Sequence, residues 1–156
     1  MRNGERLAEL RDAFRSARVR CDISPDIAAA MWEKFLFITP WGSLGAVTRL
    51  PVGPLRSAPE LRARLVAALR EVIEIARAEG KPFRDEAAAK TLKILDGLPP
   101  DTTSSMQRDL MAGRPSELEA QTGAVVRFGR KTGVPTPIHD AIYRELAPLE
   151  QKTRAN

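Results

Sequence analysis

Residues 59–80 set the terms for the rest of the chain. Pro59 and Glu60 open a stretch in which Leu61, Leu65, Val66, Leu69, Val72, Ile73 and Ala76 recur at helical spacing until Gly80 stops it. A helix of that length with one apolar stripe must bury it against other elements. Aromatic residues make up only 5 % of the chain, while Ala, Leu, Arg and Glu abound, so the partners expected are further helices and not a sheet. At 156 residues the chain fits one domain with a substantial core.

The remaining segments are delimited by similar punctuation. Residues 5–17 read as an amphipathic helix with Leu7, Leu10, Phe14 and Ala17 on one stripe. Val19, Cys21 and Ile23 then alternate with Arg20 and Asp22, a strand-like pattern in which Cys21 is a small buried hydrophobe. Ser24 is placed to cap a helix with Pro25 in its first position and Asp26 at its positive end, running to Ile38 or Thr39 just before Pro40. The stretch from Trp41 to Arg56, rich in Gly and Pro, reads as loop and turn, with Arg49 as a surface arginine able to attract a carboxylate. Asp85 opens another helix with Ala88, Leu92 and Leu95 inward, ending near Gly97. Thr136 and Pro137 start the last helix, with Ile138, Ile142 and Leu146 inward; His139 reads as an ordinary helix residue and residues 151–156 as a frayed polar tail.

Composition narrows the function classes. A single cysteine permits no internal disulfide and no thiolate zinc site, so no metal and a cytoplasmic location are the expectations. No apolar run approaches the ~20 residues needed to span a bilayer, and no signal-peptide core is seen, so no membrane partner is expected. The net charge of +5 is concentrated in residues 1–20, where six arginines face Glu5, Glu9 and Asp12. Without interleaved aromatics or a nucleic-acid motif, that segment reads as a solvated or dinucleotide-facing surface and implies no nucleic-acid partner.

Chemistry is concentrated between Thr102 and Glu119. Pro99 and Pro100 stop what precedes, Asp101 or Thr102 is placed to cap a short helix containing Ser104, Ser105 and Met106, and Gly113 closes it. Ser116 then sits at an N-cap position with Glu119 completing a capping box, which puts Glu117 in the first turn of a helix running to Lys131. Gly123 and Gly129 within that helix imply the close approach of another backbone. On residue types alone the serines are local caps and Glu117 complements the helix dipole. Upstream, Ile27, Met31, Lys34 and Ile38 share one helical face, so Lys34 interrupts an apolar stripe. Such a lysine either snorkels to water or stays desolvated and gives up its proton more readily near neutrality.

Two motifs carry a family resemblance. The run TSSM, Asp109, GRPSELE and GAVVRFGRKTGVPTP is similar to the signature of the C-terminal domain of the ketopantoate reductase (2-dehydropantoate 2-reductase) family. Pro25 to Arg49 resembles that family's other C-terminal motif, in which a Trp-x-Lys, here Trp32-Glu33-Lys34, supplies the catalytic lysine. The resemblance covers nearly the whole chain, with both motifs in the right order. It implies an all-α domain like the C-terminal domain of 6-phosphogluconate dehydrogenase: residues 24–150 as substrate and dimerisation domain, and residues 1–23 as a helix-strand remnant ending a dinucleotide-binding domain. It further implies NADPH-dependent reduction of a 2-keto acid, as in pantothenate biosynthesis. In that chemistry Lys34 polarises the keto oxygen and protonates the alkoxide, Glu117 orients lysine or hydroxyl, and Ser105 binds the carboxylate.

No G-x-G-x-x-G occurs in the 156 residues, so NADPH is expected to be held mainly by a domain outside this chain, which by itself is expected to be inactive. The implied partners are a 2-keto acid and either a second copy or a separate cofactor domain. Ile38 and Gly42 stand where the family's ketopantoate-reducing members usually place asparagines one and two turns beyond the lysine, which points away from ketopantoate, either to a more apolar 2-keto acid or to no substrate. The competing reading is a non-enzymatic helical module that dimerises or complements a cofactor subunit through Leu7, Leu10 and Phe14.

Overall fold

A computed structural model describes residues 3–81 and 83–155, with side chains for 4–81 and 83–153. The chain divides into two compact units at Met31/Trp32.

The first unit holds α1 (Asn3–Ser16), with Glu5 in its first turn and Arg15 in its last, each complementing the helix dipole. Leu7, Leu10 and Phe14 form the expected stripe and are about half exposed. The expected strand over 19–23 is absent: residues 17–26 are turn and irregular backbone, and no strand occurs among the described residues. Arg18 takes a left-handed φ of 60°, and Arg15 folds back to the Cys21 carbonyl (3.0 Å) and the Asp22 carboxylate (2.7 Å). These contacts bind locally the groups that a ladder would have used. The Arg15 hydrogen bond holds the Asp22 carboxyl below the usual carboxylate range. Cys21 is half-buried, not a core residue. Asp26, not Ser24, caps the next helix by accepting from the Ala29 N–H (2.9 Å), so α2 (Ile27–Thr48) starts two residues later than expected.

The second unit begins within α2, which does not stop at Pro40 but continues for two more turns, converting most of the expected 41–56 loop into helix. A proline inside a helix costs about 3 kcal/mol. Here Leu36, Trp41, Leu44 and Ala46 are buried on either side of it, and each fully buried large side chain returns about 1.5–3 kcal/mol. Arg49, exposed and left-handed at φ 59°, turns the chain into the short α3 (Val52–Ser57). The long apolar stripe forms α4 (Pro59–Ala78), which packs on α3, α5 (Ala87–Asp96), α7 (Thr122–Thr132) and α8 (Pro137–Ala155). Leu65, Leu69, Val72 and Ile75 of α4 are fully buried with Leu55, Leu95, Val125 and Ile142 of its neighbours. The polar end of the chain continues α8 through residue 155, where a frayed tail had been expected.

Polar side chains tie these helices together. Arg56 Nη1 lies 2.7–2.8 Å from the carbonyls of Leu95, Asp96 and Leu98, neutralising the C-terminus of α5. Glu71, a charged residue of α4, is buried. Its carboxylate accepts from the Ile138 (2.7 Å) and His139 (3.1 Å) N–H groups and pairs with His139 Nδ1 (2.5 Å), capping α8 from another helix. His139, read from the sequence as an ordinary helix residue, is therefore a fully buried partner of Glu71.

Candidate functional site

The site is built on α2, on α6 (Ser105–Met111) and on the turn that leads into α7. Ser104, not Asp101 or Thr102, is the N-cap of α6: its hydroxyl accepts from the Gln107 N–H at 3.1 Å. Ser105 is thus the first helical residue and is exposed, with its hydroxyl uncommitted to other described residues. Gly113 ends α6 at φ 63°, a left-handed conformation that suits glycine. Arg114 reaches back to Asp109 through Nε (3.0 Å) and Nη2 (2.7 Å), closing the corner between helix and turn.

The capping box expected at Ser116 does not form, and α7 begins at Thr122 instead of Glu117. The Ser116 N–H donates to Glu150 Oε1 (3.0 Å) and its hydroxyl to Glu150 Oε2 (2.8 Å), while the Leu118 N–H donates to Ser116 Oγ (3.2 Å). The carboxylate expected from Glu119 is thus supplied by Glu150, thirty-four residues away; Glu119 itself is engaged by Arg127 and by the Tyr143 hydroxyl (2.5 Å). Residues 117–121 form turns anchored by the buried Leu118. Within them Glu117 is bound twice to Gln121: the Gln121 N–H donates to the Glu117 carbonyl (2.9 Å) and Gln121 Nε2 to Glu117 Oε2 (2.8 Å). Gln121 is buried and Glu117 exposed, so a fixed amide holds one carboxylate oxygen and leaves the other toward solvent.

The second half of α2 brings these pieces together. A Cβ built on Gly42 would lie 3.3 Å from Ser104 Oγ and 3.7 Å from Gln121 Oε1, so this glycine sits between the cap of α6 and the residue that holds Glu117. One residue on, Ser43 Oγ and Thr122 Oγ1 share a buried hydrogen bond of 2.7 Å. At Gly45 a Cβ would meet Gln107 Oε1 at 2.7 Å, so a side chain there would drive the α6 glutamine away. At the other end of the contact Trp32 packs on Phe128 of α7, with ring centroids 5.6 Å apart. Lys34 lies on this same helix eight residues before Gly42, two turns or about 12 Å along the axis.

Lys34 is exposed and takes no hydrogen bond or ion pair from the described residues. The apolar stripe that it was expected to interrupt is not buried, since Ile27 and Met31 are largely exposed, so burial within this chain does not desolvate the ammonium. The structure therefore joins Gly42, Ser104, Gln121 and Glu117 by direct neighbourhood; Ser105 follows Ser104 in α6, Lys34 stands two turns before Gly42 in α2, and no hydrogen bond among the described residues joins the three expected site residues. Arg49 instead lines a separate groove with Ala46, Val47, Leu110, Met111 and Glu145.

Gln121 and Glu150 are the residues that sequence reasoning missed. Glu150 had one legible signal: His139, Ile142, Leu146 and Glu150 follow one another at helical spacing, and all four are buried. Of the two helical glycines, Gly129 meets the expected backbone, with Val134 O 2.8 Å from its built Cβ, whereas Gly123 faces the side chains of Glu119 and Tyr143. No cluster of three or more metal-ligating side chains occurs among the described residues, and none of their helices is long and apolar enough to cross a membrane.

The described residues form an all-helical domain. The profile of the ketopantoate reductase PanE/ApbA C-terminal domain matches residues 26–150, and the chain belongs to that family. It is 31 % identical over 148 residues to the 2-dehydropantoate 2-reductase of Vibrio cholerae, covering 95 % of this chain and 50 % of that protein. Against the Mycobacterium tuberculosis 2-dehydropantoate 2-reductase the identity is 32 % over 139 residues, covering 86 % and 45 %. Among solved structures, the dimeric ketopantoate reductase of Staphylococcus aureus superposes with a TM-score of 0.85 at 27 % identity, over 94 % of this chain and 51 % of that one. D-mandelate dehydrogenase shares the fold, with a TM-score of 0.84 at 20 % identity. The chain spans about half the length of the curated relatives it matches.

Proposed function

We propose that this chain is the substrate-binding and proton-donating half of an NADPH-dependent 2-keto acid reductase, of the kind that reduces 2-dehydropantoate. The observation that carries the reading is the convergence at Gly42, where the helix bearing Lys34 meets the cap of α6 and the amide that fixes Glu117. Lys34, with an uncommitted ammonium, polarises the keto oxygen and protonates the alkoxide as it forms. Glu117 accepts from the lysine or the substrate hydroxyl through the oxygen that Gln121 leaves open. Ser105 hydrogen-bonds the substrate carboxylate at the N-terminal end of α6. With Gly42 and Ile38 in place of amide side chains, the helix face that carries Lys34 offers fewer hydrogen bonds and suits a more apolar keto acid.

The described residues contain no glycine-rich phosphate cradle and do not fit a dinucleotide by themselves, so the nicotinamide is assigned to a further domain, with residues 1–23 as that domain's end and 24–150 as the substrate half. Without that domain the two reactants are not held together, and the chain alone does not turn over. The test is NADPH consumption with a panel of 2-keto acids, by the chain alone and mixed with a separately expressed cofactor domain of the family. Activity only in the mixture, lost in Lys34→Ala, is the expected result; turnover by the chain alone, or in the mixture with Lys34→Ala, would refute it.

A second reading, a non-enzymatic dimerisation or subunit-complementing module, is favoured by the half-exposed Leu7, Leu10 and Phe14. It predicts self-association in sedimentation that Leu10→Lys abolishes; a monomer at high concentration that also fails to bind the cofactor domain counts against it.

A further inference from the structure

We propose that Glu150 is a positioning residue for Glu117. The inference rests on the reading of Glu117 as a site carboxylate for its functional consequence, and on geometry alone for its structural content. Glu150 is 5 % exposed near the end of α8, yet its carboxylate is directed at one short segment of the site. One oxygen takes the Ser116 N–H and the other the Ser116 hydroxyl, at 3.0 and 2.8 Å. The same hydroxyl oxygen accepts from the Leu118 N–H. Main-chain groups on both sides of Glu117 are therefore fixed through one buried carboxylate.

Burying a carboxylate is costly unless it is well bonded, and an apolar residue at position 150 would extend the Ile142–Leu146 stripe without that cost. What the carboxylate adds is direction. Residues 116–121 are turn and irregular backbone outside any helix, closed by the Gln121 N–H to Glu117 carbonyl bond, so the course of the backbone there depends on its anchors. Glu150 anchors the start of the turn and Gln121 its end, where the amide grips Glu117 Oε2. If the first anchor is lost, Glu117 and Gln121 can still bond each other but no longer at a fixed place beside Gly42. A displacement of about 1 Å at a reacting group is enough to cost up to about a hundred-fold in rate.

Glu150→Gln keeps the volume and one acceptor but replaces the other oxygen by a donor that cannot take the Ser116 hydrogen. Its first readout is residue-resolved amide exchange of the full chain. Exchange at Ser116 and Leu118 is expected to rise about ten-fold more than at Val125 and Val72, with a shift of the Gln121 side-chain amide resonance, while helicity stays at the wild-type level. Glu150→Ala, which removes both acceptors, is expected to enlarge the local effect. The second readout uses the reconstituted reductase: Glu150→Gln is expected to lower kcat by about ten-fold with the KM for NADPH unchanged, and to add nothing to the loss in Glu117→Gln. Exchange that rises uniformly with the loss of global stability, or a loss in the double variant equal to the product of the two single ones, would overturn the proposal. If the reconstituted wild type is silent, the reductase reading fails by itself, and the exchange pattern with the Gln121 resonance still decides whether Glu150 places Glu117.

Discussion

Replacing Glu71 by alanine should be among the most damaging single changes in this domain, although the residue is remote from the site. The carboxylate accepts two main-chain N–H groups at the start of a nineteen-residue helix and pairs with a histidine that is fully buried. Its removal leaves those donors in a dry interior. Loss of an N-cap alone costs about 0.5–2 kcal/mol, and each buried donor left without its acceptor about 1–3 kcal/mol. The two figures describe overlapping contacts and two donors lose their acceptor, so about 2–6 kcal/mol is the expected total, equivalent to a fall in Tm on the order of 10 °C for a domain of this size. Glu71→Gln separates the contributions of the two donors. One oxygen still accepts from the Ile138 N–H, and the new amide group can donate to His139 Nδ1 if the ring changes tautomer, but the His139 N–H loses its acceptor. That variant should lose about 1–3 kcal/mol, the cost of one unsatisfied buried donor. Urea unfolding at pH 7, followed by far-UV circular dichroism, measures both. A loss below about 1 kcal/mol in Glu71→Ala, or a Gln variant no more stable than the Ala variant, would refute the account of α8 as a helix capped across the core.

Gly53→Ala should destabilise the domain by about 1–3 kcal/mol, because the new Cβ would lie 2.7 Å from the Pro100 carbonyl oxygen and backbone must move; an unchanged urea midpoint would contradict it. The hydrogen bonds from Arg62 hold the Asp96 carboxyl below its ordinary value, so its contribution is present above the unfolded-state pKa and lost as pH falls through the folded one. Asp96→Asn should therefore cost about 0.5 kcal/mol at pH 7, a figure discounted for the exposure of the pair, and progressively less as pH falls below the unfolded-state value; a difference that stays constant on acidification would refute the assignment.

Most of the helices were legible because their information is local. Stripes at helical spacing gave α1, α4, α5 and α8; of the stripe predicted in α4, Leu65, Leu69, Val72, Ile73 and Ala76 are buried and Leu61 and Val66 half-buried, while Ala68, Glu71 and Ile75 are buried outside it. The failures share one physical cause, the override of a local signal by burial or by a distant partner. Pro40, Gly42 and Gly45 read as breakers by intrinsic preference, but this is where α2 is buried on all sides and where Ser104 and Gln107 approach too closely for larger side chains. The alternation over 19–23 satisfies the strand pattern, yet a strand needs a neighbour, and Arg15 supplies the local groups with partners first. At the site, sequence located the polar segment but not its geometry. Ser116 and Glu119 have the spacing of a reciprocal cap, and nothing nearby reveals that Glu150 outcompetes Glu119 for the same N–H.

That competition bears on how such a domain specifies its site. A capping box would have made the turn before α7 an autonomous local structure, with Glu117 fixed to the first turn of a helix. Handing the serine to a residue of α8 makes the placement of Glu117 depend on the docking of α8, which Glu71 secures at the opposite end of that helix. His139 and Glu150 occupy one buried face of α8 together with Ile142 and Leu146. A perturbation of the α8 N-terminus is therefore expected to reach Glu117 along α8, without any contact between Glu71 and the site. Amide exchange at Ser116 and Leu118 in Glu71→Gln measures this coupling directly. Acceleration there beyond the global change in stability supports it, and acceleration confined to residues 137–142 would show that the two ends of α8 act independently.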